Sequence, residues 1–211
     1  MSNKSFNIHT GVAAPMLQKN IDTDAIIPSR EMKRVSKEGL AEGLFAARRY
    51  IDRGQDTERE NPDFVLNQAN YEGTTILLTG ANMGCGSSRE FAVWALVDFG
   101  IRAIIAPSFG SIFQTNCVRN GLLPIVLDAS SISHLADYVT SNPQRQRLTI
   151  NLEASVVMDA SENEYAFEIE SLHRKMLMEG LDAIDLTIES LAEIDAFESS
   201  ARESRPWIHL K

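Results

Sequence analysis

The chain has 211 residues, 44% of them hydrophobic, and a formal net charge of −9. That length can bury a sizeable core, and the acidic balance argues against nucleic acid or an anionic membrane as partner. No apolar run approaches the ~20 residues of a membrane span, Met1–Ala14 lacks an apolar signal core, and two cysteines make no disulfide framework. A cytoplasmic protein is expected, with residues 1–211 as a single domain carrying a C-terminal helical extension.

Residues 5–18 offer an edge strand at most. In Asn20–Pro28, Asp22, Thr23 and Asp24 are turn-prone, Ile26 and Ile27 suit the core, and Pro28 breaks the segment. An Asx-type turn accounts for the aspartates. Two carboxylates at a spacing of two also suit acid/base chemistry or a metal. Ser29–Val35 holds Arg30, Lys33 and Arg34, positive charge in an acidic chain, or an ordinary solvated loop. Ser36–Arg48 reads as one helix capped by Ser36, with Leu40, Leu44 and Ala47 on one face. Gly54–Asn61 is polar and charged and is expected to be a mobile loop. Pro62–Leu66 returns to the core.

Thr74–Thr79 (TTILLT) is a buried strand by its β-branched, apolar run. A loop punctuated by Gly80, Gly84 and Gly86 follows, and Ser87 or Ser88 suits the N-cap of the next helix. That helix, Arg89–Phe99, is apolar on nearly every side and stops at Gly100. Its N-terminus offers backbone N–H groups and the positive end of the helix dipole to an anion. Arg89 adds a planar fork matched to a carboxylate or phosphate. A tight turn before a capped helix would use the same residue types. Two nucleotide fingerprints fail: Arg89 stands where G-x-G-x-x-G needs its third glycine, and no lysine lies between Lys37 and Lys175 to complete a phosphate loop. A carboxylate ligand fits at least as well.

Arg102–Ala106 is a second buried strand, so a right-handed parallel unit is expected. A helix over Ser108–Asn120 ends at Gly121, Leu122–Leu127 is a third strand, and Ser130–Thr140 is a helix. Arg147–Leu152, Ser155–Met158 and Tyr165–Ile169 are short alternating strands. Helices follow from Leu172 to Met178 and from Ile188 to Ala201, the last amphipathic and acidic. The fold class is α/β, a partly parallel sheet flanked by helices with a C-terminal antiparallel addition.

Cys85 in the glycine loop invites an iron–sulfur reading, but cluster ligation generally needs three or four thiolates and the chain has two. No H-E-x-x-H or C-x-x-C is present, and His9, His134, His173 and His209 are scattered. No metal or cofactor is expected in this chain. Cys85 takes the nucleophile position of G-x-S-x-G, and a cysteine nucleophile at a helix N-terminus is a chemical alternative.

Gly84-Cys85-Gly86-Ser87-Ser88-Arg89-Glu90 and Asn20-Ile21-Asp22-Thr23-Asp24-Ala25-Ile26-Ile27-Pro28 resemble the swivel domain of the aconitase superfamily. Within it, the chain is similar to the bacterial small subunits of 3-isopropylmalate dehydratase. Asn61–Asn67, Ile105–Phe109, Asn120–Pro124 and Met178–Asp182 agree, so the resemblance spans roughly Asp22 to Asp185. One departure is Phe91, where close relatives usually carry a histidine after the Arg-Glu pair.

The resemblance implies a swivelling β/β/α domain and a heterodimer or higher heteromer. Its large subunit would carry a 4Fe-4S cluster, and the small dicarboxylate substrate would be 2- or 3-isopropylmalate, interconverted by dehydration and rehydration in leucine biosynthesis. It implies Ser87 as the catalytic serine and Arg89 as the substrate anchor. Ser88 and Gly86 would be supporting donors, and Asp24 would lie on the substrate-facing side. Arg30 would sit in the loop, Ser29–Val35, associated with substrate choice. Glu90 would orient Arg89 or a neighbour. A sister hydro-lyase acting on citramalate, dimethylmaleate or homoaconitate would share these motifs. A free-standing carboxylate-binding or RNA-binding module is a different class.

Overall fold

The computed structural model describes residues 3–32 and 36–208. Lys33, Arg34 and Val35 of the Ser29–Val35 stretch, and His209, lie outside the described residues. The elements in chain order are β1 (Ile8–Met16), α1 (Thr23–Ile26), α2 (Ala46–Arg49), β2 (Tyr50–Ile51), β3 (Arg59–Glu60), β4 (Thr74–Thr79), α3 (Glu90–Phe99), β5 (Ala103–Ala106), α4 (Ser111–Arg119) and β6 (Leu123–Val126). Then come α5 (Ala129–Ser141), β7 (Leu148–Asn151), β8 (Val156–Met158), β9 (Glu164–Ala166), α6 (Ser171–Glu179), α7 (Ala183–Glu189) and α8 (Leu191–Ser204). One seven-stranded sheet runs β6-β5-β4-β1-β7-β8-β9. β6, β5, β4 and β1 pair in parallel; β1-β7, β7-β8 and β8-β9 pair antiparallel.

The sheet is packed on both faces, and strand alternation sorts its side chains. Leu77 and Ile104 join Ala92, Val93 and Leu96 of α3 on one face. Ile76, Leu78 and Ile105 join Ile132, Leu135 and Val139 of α5 on the other. Buried on both sides, the parallel strands read as continuous apolar runs. Asp128 caps α5 by accepting from the Ser130 and Ser131 amides.

β1 corrects the edge-strand expectation: it is the seam of the sheet. Ile8–Gly11 pairs with β7, Val12–Met16 pairs with β4, and the register shifts between Val12 and Ala13. The sequence IHTGVAAPM hides this because its middle is small. Small residues are required there: a Cβ on Gly11 would lie 1.9 Å from Thr75 Oγ1. Pro15 is tolerated because it lies beyond the stretch paired to β7.

The helix expected over Ser36–Arg48 is also corrected. A 3-10 turn at Ala41–Gly43 and the four-residue α2 stand in its place. Gly39 has φ +79° and Phe45 φ +50°, both left-handed, which no continuous helix allows. Asp98 Oδ2 on α3 holds the segment, accepting from the Leu40 and Ala41 amides at 2.8 Å each. The expected mobile loop Gly54–Asn61 includes β3 of a hairpin tied by side chains. Glu58 Oε2 accepts from the Gly54 amide at 2.7 Å, and Arg53 grips Glu31 with Nη2–Oε2 at 3.1 Å. The helix expected over Ile188–Ala201 is two, α7 and α8, meeting at Ser190, and neither buries a residue. No helix among the described residues is long and apolar enough to cross a membrane.

Candidate active site

Parallel strands end at the same edge of the sheet, so the loops after β1, β4 and β5 meet there. Main-chain bonds lock them together. The Gly84 amide donates to Ile21 O at 2.7 Å, the Thr23 amide to Cys85 O at 3.0 Å, and the Asn20 amide to Ala81 O at 2.9 Å. On the other side the Met83 amide donates to Ser108 O at 3.0 Å and the Gly110 amide to Met83 O at 2.9 Å. Thr23, buried, donates its hydroxyl to Ser87 O at 2.9 Å.

Gly84 is fixed by space and by dihedral. Its φ is +71°, and a Cβ there would fall 2.1 Å from Cγ of the Phe113 ring. Gly110 is held as closely, with a Cβ 2.7 Å from Gly84 O. The loop after β4 therefore passes directly over the start of α4.

Between these loops lies a cleft enclosing about 180 Å³. Cys85 to Arg89 form one wall, Gly110 to Phe113 the other, and Thr23 the floor. The N-termini of α3 and α4 border it, and neither has a side-chain cap. Two helix N-termini at one cleft make it favourable for an anion. The α4 wall was not singled out from sequence. Its signal is the run Pro107-Ser108-Phe109-Gly110-Ser111, a second strand–glycine–helix junction.

Ser87, Ser88 and Gly86 are exposed on the wall, and Arg89 is partly covered beside them. The serine-cap expectation is corrected. α3 starts at Glu90, with Arg89 in extended conformation at the N-cap, so the serines lie before the helix. Asp22 makes the Asx turn, accepting from the Ala25 amide at 2.6 Å. That frees Asp24, whose carboxylate pairs with the Arg89 guanidinium at the rim. Arg89 therefore has a partner within the chain, 65 positions away in sequence. Glu90 orients a neighbour: its Oε1 accepts from Asn120 Nδ2 at 2.8 Å. Arg30 stands apart on a 3-10 turn, 3.5 Å from Glu31 Oε1, and is not part of the cleft wall. The Phe91 ring packs 4.8 Å from Trp94, between centroids, on the core side of α3 and outside the cleft.

The thiols do not converge. Cys117 is fully buried in α4, and burial pushes its pKa well up, while Cys85 lies in the cleft wall. Among the described residues no three His, Cys, Asp or Glu side chains group as metal donors.

The aconitase C-terminal domain family matches residues 3–130. The chain is 56% identical over 207 residues to the 3-isopropylmalate dehydratase small subunit of Cupriavidus necator, covering 97% of each. It is 45% identical over 208 residues to the small subunit of the same name from Methylibium petroleiphilum, covering 96% of each. Among solved structures it resembles the 3-isopropylmalate dehydratase of Methanocaldococcus jannaschii, with TM-score 0.66 and 26% identity over 90% of this chain and 99% of that one. Glycine loop, cleft and near-full-length likeness together place this chain in the 3-isopropylmalate dehydratase small-subunit family of the aconitase superfamily.

Proposed function

We propose that this chain is the small subunit of a hydro-lyase that interconverts 2-isopropylmalate and 3-isopropylmalate in leucine biosynthesis. It works with a large subunit in the cytoplasm, and residues 1–211 act as one swivel-type domain with a helical extension. The observation that carries the reading is the cleft wall: Ser87 and Arg89 side by side, facing the uncapped start of α4.

The substrate is a dianion. Arg89 binds one carboxylate by exchanging its rim partner Asp24 for the ligand, since a half-exposed carboxylate is readily released to water. Ser88, Gly86 and the amides at the starts of α3 and α4 receive the remaining negative charge. Ser87 Oγ takes the proton from carbon as the hydroxyl leaves the neighbouring carbon. Readdition in the reverse sense gives the isomer. A serine alkoxide is far too basic to form unaided, so the guanidinium and helix N-termini must hold its charge. A 4Fe-4S cluster held by the large subunit would supply Lewis-acid chemistry towards the substrate hydroxyl.

The test is reconstitution. The purified chain should be colourless, iron-free and inactive, and should gain isopropylmalate isomerisation on addition of the large subunit. Dehydratase activity from the single chain would overturn the heteromer reading.

A further inference from the structure

Asn120 belongs to the Asn-Gly-Leu-Leu-Pro stretch that the reaction leaves without a role. It is the C-cap of α4 and is 6% exposed. Its amide is fully engaged. Oδ1 accepts from Trp94 Nε1 at 3.0 Å and from Lys37 Nζ at 3.1 Å. Nδ2 donates to Glu90 Oε1 at 2.8 Å and to Asn116 O at 2.9 Å. Two donors face the oxygen and two acceptors face the nitrogen, so only one orientation of the amide satisfies the set.

The set spans three elements. Glu90 opens α3 and follows Arg89 directly. Trp94 lies one turn further along α3. Lys37 belongs to the segment that Asp98 also clamps to α3, just after the substrate-choice loop. Arg89 points to Asp24, while Glu90 is held towards Asn120. A released Glu90 would be a carboxylate one residue from the guanidinium and a competitor for it.

We propose that Asn120 is a positioning residue: through its bond to Glu90 it keeps that carboxylate off Arg89, leaving the guanidinium to the substrate. This rests on the reading of Arg89 as substrate anchor.

The test uses the reconstituted complex. Asn120→Asp puts an acceptor against Glu90 and Asn116 O, breaking both Nδ2 bonds, while keeping an acceptor towards Trp94 and Lys37. KM should rise about tenfold with kcat changed less than about threefold, the pattern of lost binding. Adding Glu90→Gln removes the competing carboxylate and should restore KM to within about threefold of the parent, a coupling that a merely structural role of Asn120 would not give. Should Asn120→Asp fold poorly, Glu90→Asp serves at an exposed position: it keeps the charge, falls short of Asn120 and should raise KM alike. An unchanged KM in a folded Asn120→Asp or Glu90→Asp complex, or no rescue in the double variant, overturns the proposal. Arg89→Lys measured alongside separates the two readings: if it leaves KM unchanged, the anchor reading fails instead.

Discussion

In the parallel half of the sheet, the loops after β1, β4 and β5 bond to one another across the cleft through Ile21, Met83, Gly84 and Cys85. In the antiparallel half, each hairpin is closed mainly by its own residues. Asp159 makes most of the bonds that close the β8–β9 turn, its Oδ1 accepting from the Ser161 and Asn163 amides at 2.8 and 3.1 Å. The Tyr138 hydroxyl of α5 also accepts from the Ala160 amide at 3.0 Å. The difference follows from strand direction. A hairpin can return locally, whereas parallel strands need crossovers and deliver their loops to one shared edge. A shared edge makes a cleft, and it also makes each loop depend on its neighbours.

The largest expected effect is therefore at Gly84. Gly84→Ala must displace the Phe113 ring and strain a left-handed residue, and should destabilise the isolated chain by about 3 kcal/mol or more in a denaturant melt. Gly39→Ala is the control: φ is also left-handed, at +79°, but the Cβ meets open space, so about 1 kcal/mol is expected. Equal losses at both positions would break the claim that the loops interlock.

Arg89→Lys comes next. Lysine keeps the charge and loses the fork, so kcat/KM of the reconstituted complex should fall by roughly ten- to a hundredfold. The melting curve of the isolated chain should hardly move, because the Asp24 pair is partly solvated and worth at most about 1 kcal/mol. Full activity with a collapsed melting curve would make Arg89 a structural ion-pair residue. Phe91→His should cost at most ~2 kcal/mol with substrate preference kept, since the ring packs on Trp94 away from the cleft. A shift in preference would place it in the site.

The smallest effect, of opposite sign, lies in the antiparallel half. Glu162 is exposed and left-handed, with φ +62°, in a turn closed by Asp159. Glu162→Gly should stabilise the chain by up to about 1 kcal/mol and leave kinetics of the complex unchanged. A loss of activity would show that the two halves are not independent.

Much was legible from residue order alone. The strand–glycine–helix unit from Thr74 to Gly100, the α/β class and the turn chemistry at Asp22 are local. Each depends on β-branching, left-handed glycines or a side chain reaching its own backbone. Arg89 was legible as an anion grip because its planar fork stands beside a glycine loop at a helix start, whereas Ser87 came only from the resemblance to the swivel-domain family. Tertiary structure alone decided the remainder. β1 became the seam because its small residues fit against Thr75, and no window of IHTGVAAPM reveals what packs on it. Ser36–Arg48 gave up its helix because Asp98, more than fifty residues later, takes the Leu40 and Ala41 amides. The Asp24–Arg89 pair and the Asn120–Glu90 bond likewise join residues 65 and 30 positions apart, and the α4 wall meets the glycine loop through Met83 and Gly110, 27 positions apart. Such contacts form only when the parallel crossovers bring the strand ends to one edge, so short-range pattern carries no trace of them.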